Sequence, residues 1–285
     1  MKWTDDRSDN VDDRRGSGGG GGGAIVGGGL GTLIIAAIIF FLGGDPSSLL
    51  SSGGGHSSPT EQRELTASEL KIREFVEMVT AENEQTWTKI FAENGMQYQP
   101  AVVVLFESTT QSGCGTAQAA MGPFYCPADQ KVYMDMSFFK ELQQQFGAQV
   151  TEFSIAYVMA HEMGHHVQTL LGTTQKVDAL RRSGRYSEAD MNRVSVATEL
   201  QADFYAGVWA KQTDSREHIL EPGDIQSAIE AAEAVGDDNI QKRSQGYVNQ
   251  ESFTHGSSAQ RKEWFMKGYN TGDIKQGDTF NQLLK

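Results

Sequence analysis

Basic residues are scarce in this chain: 24 Lys and Arg stand against 37 Asp and Glu, a formal net charge of −13 over 285 residues. A nucleic-acid partner would want a basic face, so the balance argues against that class. Cysteine is scarcer still. Cys114 and Cys126 are the only two, and without a Cys-x-x-Cys set they do not make a thiolate zinc site. Long uncharged apolar runs are missing, with one exception from Ala24 to Leu42. No internal repeat is present, so a repeat array is excluded.

The exception is long enough to cross a bilayer as a helix, which takes ~20 residues. A core helix would show a polar face, and this run has none. A cleaved signal peptide has a shorter apolar core and a small-x-small site after it. No cysteine lies near the end of the run, so lipoprotein processing is not expected. The reading is one transmembrane anchor. Lys2, Arg7, Arg14 and Arg15 precede it, and no further basic residue occurs until Arg63. The positive-inside rule then places the N-terminus in the cytoplasm and the large C-terminal part outside, in the periplasm of a Gram-negative cell. The expected division is 1–23 as a Gly-rich cytoplasmic tail, 24–42 as a helix in the inner (cytoplasmic) membrane, 43–60 as a Ser/Gly linker holding an unassigned His56, and 61–285 as the folded domain. Outside the cytoplasm Cys114 and Cys126 can pair as a disulfide; two separate buried thiols are the alternative.

The most informative stretch is Ala160-His161-Glu162-Met163-Gly164-His165-His166. Positions i and i+4 of a helix share a face, so His161 and His165 converge on one point. Two neutral imidazoles are half of a tetrahedral zinc site. Glu162, beside them, can take a proton from metal-activated water. A solvated helix with two histidines is the bland alternative. Against it, Phe153 to Ala160 is mostly apolar and uncharged, the mark of a buried helix. Gly164 costs such a helix roughly 1 kcal/mol relative to Ala, which points to close packing or access there.

A catalytic zinc needs a third protein ligand and an open position. Thr198-Glu199-Leu200-Gln201-Ala202-Asp203 reads as helix with two acids at i and i+4. Glu199 is the candidate ligand. Asp203, one turn on, is the candidate partner for the second ring nitrogen of a ligand histidine. Two acids on a solvated face would be the bland reading without the upstream motif.

At these residues the chain resembles the bacterial neutral zinc metallopeptidases, membrane-anchored and gluzincin-like, with His-Glu-x-x-His plus a downstream Glu. The resemblance also takes in Met1-Lys2-Trp3, Gly122-Pro123-Phe124-Tyr125-Cys126-Pro127, Val132-Tyr133-Met134-Asp135 and Ser252-Phe253-Thr254-His255-Gly256-Ser257-Ser258. It implies an α+β, zincin-like fold, a Zn2+ cofactor and hydrolysis of a peptide or protein substrate. The competing function is a catalytically inactive zinc-binding adaptor of the cell envelope. An oxyanion donor is also needed. His255, in a turn before a helix, is the candidate, with Tyr205 and Tyr247 as rivals and a loop-filling histidine as the plain alternative. His166 is rotated ~100° from His165 and faces away. His218 lies in a polar stretch.

The rest reads as a small sheet packed with several helices. Helices are expected over Ala67–Asn94, with Ser68 at its start, from Ser137 onward, across the two motif segments, and over Ile225–Val235 and Gln260–Asn270. Strands are expected at Ala101–Phe106 and Lys131–Met136. The second strand alternates enough to be half exposed, and is expected to serve as an edge on which extended substrate pairs.

Overall fold

The computed structural model describes residues 1–16, 63–138 and 150–284. The expected anchor, both linkers and most of the helix expected after Ser137 lie outside these residues. No helix among them is long and apolar enough to cross a membrane.

Four helices begin with the same device, a hydroxyl that accepts from the backbone N–H three residues on while that residue's side chain returns to the cap. They are α1 (Ala67–Glu93), capped by Thr66 with Glu69; α2 (Glu152–Leu170), by Thr151 with Ser154; α4 (Glu188–Glu217), by Ser187 with Asp190; and α7 (Ser258–Thr271), by Ser257 with Gln260. The cap of α1 is thus Thr66, two residues before the expected Ser68. Shorter helices fill the rest: α3 (Thr173–Ser183), α5 (Asp224–Ala234), α6 (Asp237–Gln245) and α8 (Thr279–Leu283).

The main sheet has four strands in the order β1 (Val11–Asp13), β2 (Val102–Phe106), β6 (Lys131–Asp135) and β5 (Phe124–Cys126). β1, β2 and β6 are parallel, with Val11 opposite Val103 and Val103 opposite Val132; β5 runs antiparallel to β6, with Phe124 opposite Tyr133. β3 (Thr109–Ser112) and β4 (Gly115–Gln118) form a separate hairpin. A Cys114–Cys126 disulfide ties the hairpin turn to the end of β5, with Cα atoms 5.8 Å apart.

Two expectations are corrected. The strand over Lys131–Asp135 is not an edge. It lies between β2 and β5, and Val132, Tyr133, Met134 and Asp135 are all buried. Its alternation separates two covered faces. Val132 and Met134 face the main core with Phe153, Met159 and Trp209, whereas Tyr133 joins Phe106, Phe124 and Cys126 in a second cluster. The sheet edge near the motif helix is β5. Residues 1–16, expected to belong to a tail, are part of the folded body, because β1 continues the sheet beyond β2.

Candidate metal centre

α2 carries His161 and His165 on one face, and α4 crosses against that face. Gly164 makes the approach close: a Cβ there would lie 3.0 Å from Ala202 Cα. That crossing brings Glu199 to the two imidazoles. Its Oε2 lies 3.2 Å from His161 Nε2, and its Oε1 lies 3.5 Å from His165 Nε2. One donor atom from each of His161, His165 and Glu199 falls within 4.8 Å of the others, and all three residues are buried.

Each imidazole is held from behind. Asp203 Oδ1 lies 2.8 Å from His161 Nδ1. Asp203 is an ionised acceptor: burial opposes its charge, but Arg261 and His161 outweigh that and hold its pKa down to about 2. Nδ1 of His161 must therefore donate, which leaves the Nε2 lone pair for a metal. Arg261 Nε and Nη2 donate to the two oxygens of Asp203 at 2.8 and 2.9 Å, and the Tyr157 hydroxyl donates to Oδ1 at 2.5 Å. His165 Nδ1 lies 2.9 Å from Gln168 Oε1, and Gln168 Nε2 donates to the Thr198 carbonyl at 2.7 Å. Gln168 thus fixes the tautomer of His165 while tying α2 to α4.

Glu162 is also buried, and its Oε2 has no hydrogen-bond partner among the described residues. Burial raises its pKa, with His161 and His165 pulling the other way. A buried carboxylate oxygen without a partner is costly unless something else meets it there. Burial resists the charged form of His161 as well, yet Asp203 and Glu199 carry its pKa up to about 10. The cluster is short of positive charge. With neutral imidazoles, three carboxylates face one guanidinium, and the difference is what a divalent cation cancels. The donors, the charge and the unmatched oxygen all fit zinc bound by His161, His165 and Glu199.

His255 sits in the loop before α7, close enough to Glu199 for the two charges to interact. Asp237, at the start of α6, positions it. Asp237 Oδ2 accepts from the backbone N–H groups of Thr254, His255 and Gly256 at 2.7, 2.6 and 2.9 Å, and Oδ1 lies 3.2 Å from His255 Nδ1. The rivals are elsewhere. Tyr205 packs edge-on against Trp87, and Tyr247 is 64% exposed in another loop. His166 points away from the cluster, with Nε2 2.6 Å from the Gln99 carbonyl and Nδ1 3.1 Å from the Tyr125 hydroxyl. His218 is exposed at the end of α4. A cavity of about 290 Å³ opens beside His165 and Glu199, lined among others by Tyr125, Pro127, Val177, Arg181, Thr198 and Thr254.

Tyr157, Gln168, Asp237 and Arg261 were not singled out from the sequence. Two had a local signal: Tyr157 is one helical turn before His161, and Gln168 is three residues after His165. Asp237 and Arg261 had none.

The model of the family described as "Putative neutral zinc metallopeptidase" matches residues 1–280. The chain is 42% identical over 228 residues to the uncharacterized protein YpfJ of Escherichia coli (strain K12), covering 80% of this chain and 78% of that one. It is 47% identical over 186 residues to the uncharacterized protein Rv2575 of Mycobacterium tuberculosis, covering 62% of this chain and 61% of that one. No solved structure matches it. The chain belongs to the neutral zinc metallopeptidase family.

Proposed function

We propose that this family member is a membrane-attached zinc peptidase with a zincin-like body, in which His161, His165 and Glu199 hold the metal and Glu162 is the general base. The observation that carries the reading is Glu162, a buried carboxylate beside the ligand cluster with an oxygen that no described residue meets. An inactive adaptor would leave that residue without a task. A structural zinc site would also be closed by a fourth protein ligand.

Zinc, when bound, supplies the Lewis acid and lowers the pKa of water toward ~7. Glu162 takes a proton from the attacking water as its oxygen adds to the peptide carbonyl. The C–N bond then breaks, and Glu162 passes the proton to the leaving amine. His255, oriented by Asp237, offers its second ring nitrogen to the developing oxyanion. The outer edge of β5 is the place for an extended substrate, because main-chain pairing there runs beside α2 and needs little side-chain selectivity. The cavity beside His165 takes a neighbouring substrate side chain. Residues 24–42 attach the protein to the cytoplasmic membrane, and the disulfide favours an extracytoplasmic body.

The test uses the full chain, with zinc content and casein cleavage measured with and without chelator. His161→Ala, His165→Ala and Glu199→Ala should each lose most of the metal. Glu162→Gln should keep stoichiometric zinc and its fold while losing hydrolysis. Full zinc occupancy in all three ligand variants, or wild-type turnover in Glu162→Gln, would sink the assignment.

A further inference from the structure

We infer that residues 1–16 and the catalytic body lie on the same side of the membrane, so that the apolar run between them does not separate the two. The first observation is that the N-terminal arm is built into the domain. β1 lies along β2, Val103 N donates to the Asn10 carbonyl at 2.9 Å, and Arg14 N donates to the Leu105 carbonyl at 2.8 Å. Side chains fasten the arm to α1 and α2. Trp3 Nε1 donates to Glu152 at 3.0 Å on α2, and its ring packs 5.6 Å from Phe75 on α1. Thr4 Oγ1 donates to Glu82 at 2.7 Å, and Ser8 and Asn10 both donate to Glu84 at 2.8 Å. Lys2 N donates to the Ile219 carbonyl beyond α4 at 2.8 Å. Arg15 and Asp13 form an ion pair at 2.7 Å, each side chain 3% exposed, and Arg15 also donates to the Glu69 carbonyl. Removing the arm would leave buried Glu82 without Thr4 and β2 without its outer neighbour.

The second observation is where the chain leaves and returns. Arg63 N donates to the Gly16 carbonyl at 3.0 Å. Residues 17–62 therefore begin and end at one point on the surface of the body. One crossing by 24–42 would put these two ends on opposite sides of about 30 Å of hydrocarbon, where Arg63 and Gly16 cannot touch. A second crossing would have to use 43–62, a stretch of mainly Ser and Gly with Asp45 and Glu61. Such a segment cannot satisfy its backbone in lipid. The corner formed by Gly16, Arg63 and the start of α1 is thus the surface that faces the bilayer.

Three of the four basic residues that set the expected topology have other work in this arrangement. Arg15 is in the buried pair, Arg14 Nε donates to Asp12 at 2.9 Å and Arg14 Nη1 to Thr110 at 2.9 Å, and Arg7 Nη1 donates to the carbonyls of Thr4 and Asp6. Their number before the run reflects the fold of the arm, so it carries no sign of which side the arm occupies.

The inference rests on the proposed membrane attachment but not on catalysis. Its test is thiol labelling of the full chain in spheroplasts of a bacterial host, with Asp5→Cys and Lys275→Cys made singly. Both positions are exposed, and the native cysteines are bonded to each other. A membrane-impermeant maleimide should label the two variants alike, either both before lysis or both only after it. A companion Val11→Cys, Val103→Cys variant, with a protease site inserted between 43 and 60, should give two fragments that stay together after cleavage until reductant is added. Labelling of one position before lysis and the other only after it would overturn the inference while leaving membrane attachment intact. Recovery of the whole chain in the soluble fraction would instead overturn the attachment, and the inference with it, whatever the peptidase assay shows.

Discussion

Asp203 gathers a hydroxyl, an imidazole and a guanidinium on one buried carboxylate, so its neighbours can be tested as a unit. Asp203→Asn keeps the shape but weakens the hydrogen bond that orients His161. Zinc affinity should fall ~10–100-fold with the fold retained. Each single also strips a countercharge: Arg261→Gln leaves the Asp203 carboxylate buried without its guanidinium, and Asp203→Asn leaves the Arg261 guanidinium buried without its carboxylate, an imbalance of about 3–5 kcal/mol in either case. In metal-free protein, urea unfolding should therefore show both singles as clearly destabilised. The double variant should lose clearly less than the sum of the two singles, because an amide facing an amide leaves no bare charge. Additive losses would show that the pair is not coupled as its geometry states. The legible and illegible parts of the site divide along the same physical line. His161, His165, Glu199 and Asp203 were readable because each has a partner one helical turn away. Arg261 reaches Asp203 across 58 positions and Asp237 reaches His255 across 18, from other elements, and no local spacing marks them.

At the scale of elements the candidate metal centre is a helix crossing, and glycine sets its depth. Gly164 lies against the Ala202 backbone, with Ala202 O and Cα both 3.0 Å from where a Cβ would be. Gly164→Ala should push α2 and α4 apart by a few tenths of an ångström. Overpacking of this kind costs about 1–3 kcal/mol. Because Glu199 belongs to α4 and both histidines to α2, the same displacement should weaken zinc binding. A lower melting temperature of the metal-free form, together with earlier loss of zinc to a chromophoric chelator, is the expected pair of results. Unchanged zinc affinity would mean that the crossing does not set the ligand geometry. The same device recurs where α4 meets α7: a Cβ on Gly207 would run into the Phe265 carbonyl, and one on Gly268 into the Phe204 carbonyl. The helices themselves were legible from apolar positions and the paired motif residues, but their capping hydroxyls were not: Thr66 was passed over for Ser68, and Thr151, Ser187 and Ser257 were not singled out as caps. Strand neighbours were not legible. Alternation tells which residues share a face but not which strand lies alongside, so Lys131–Asp135 read as an edge while the true edge, the three-residue β5, left too short a signal.

For the whole molecule, two long-range connections decide what the body includes. One is the pairing of β1 with β2. It was illegible because a three-residue strand with two Asp in it has no apolar alternation, and because the arginines beside it mimic a topology signal. The other is the Cys114–Cys126 bond, legible from the shared compartment of its two cysteines. The bond closes a loop of 12 residues, so in the chain-entropy model it stabilises by about 3 kcal/mol at most. Its placement is more informative than its size. It joins the β3–β4 turn to β5, and Cys114, Tyr125 and Pro127 all line the cavity beside His165. The proposed metal ligands stand on α2 and α4, which are held by a different set of contacts. A Cys114→Ser, Cys126→Ser variant should therefore fold, bind zinc with unchanged stoichiometry and melt at a lower temperature, while cleaving peptide less well because the proposed substrate edge is loosened. Melting curves, zinc content and turnover, each with and without reductant on the wild type, would check it. Loss of zinc on reduction alone would mean that β5 supports the ligands themselves, and that the two halves of the site are not mechanically separate.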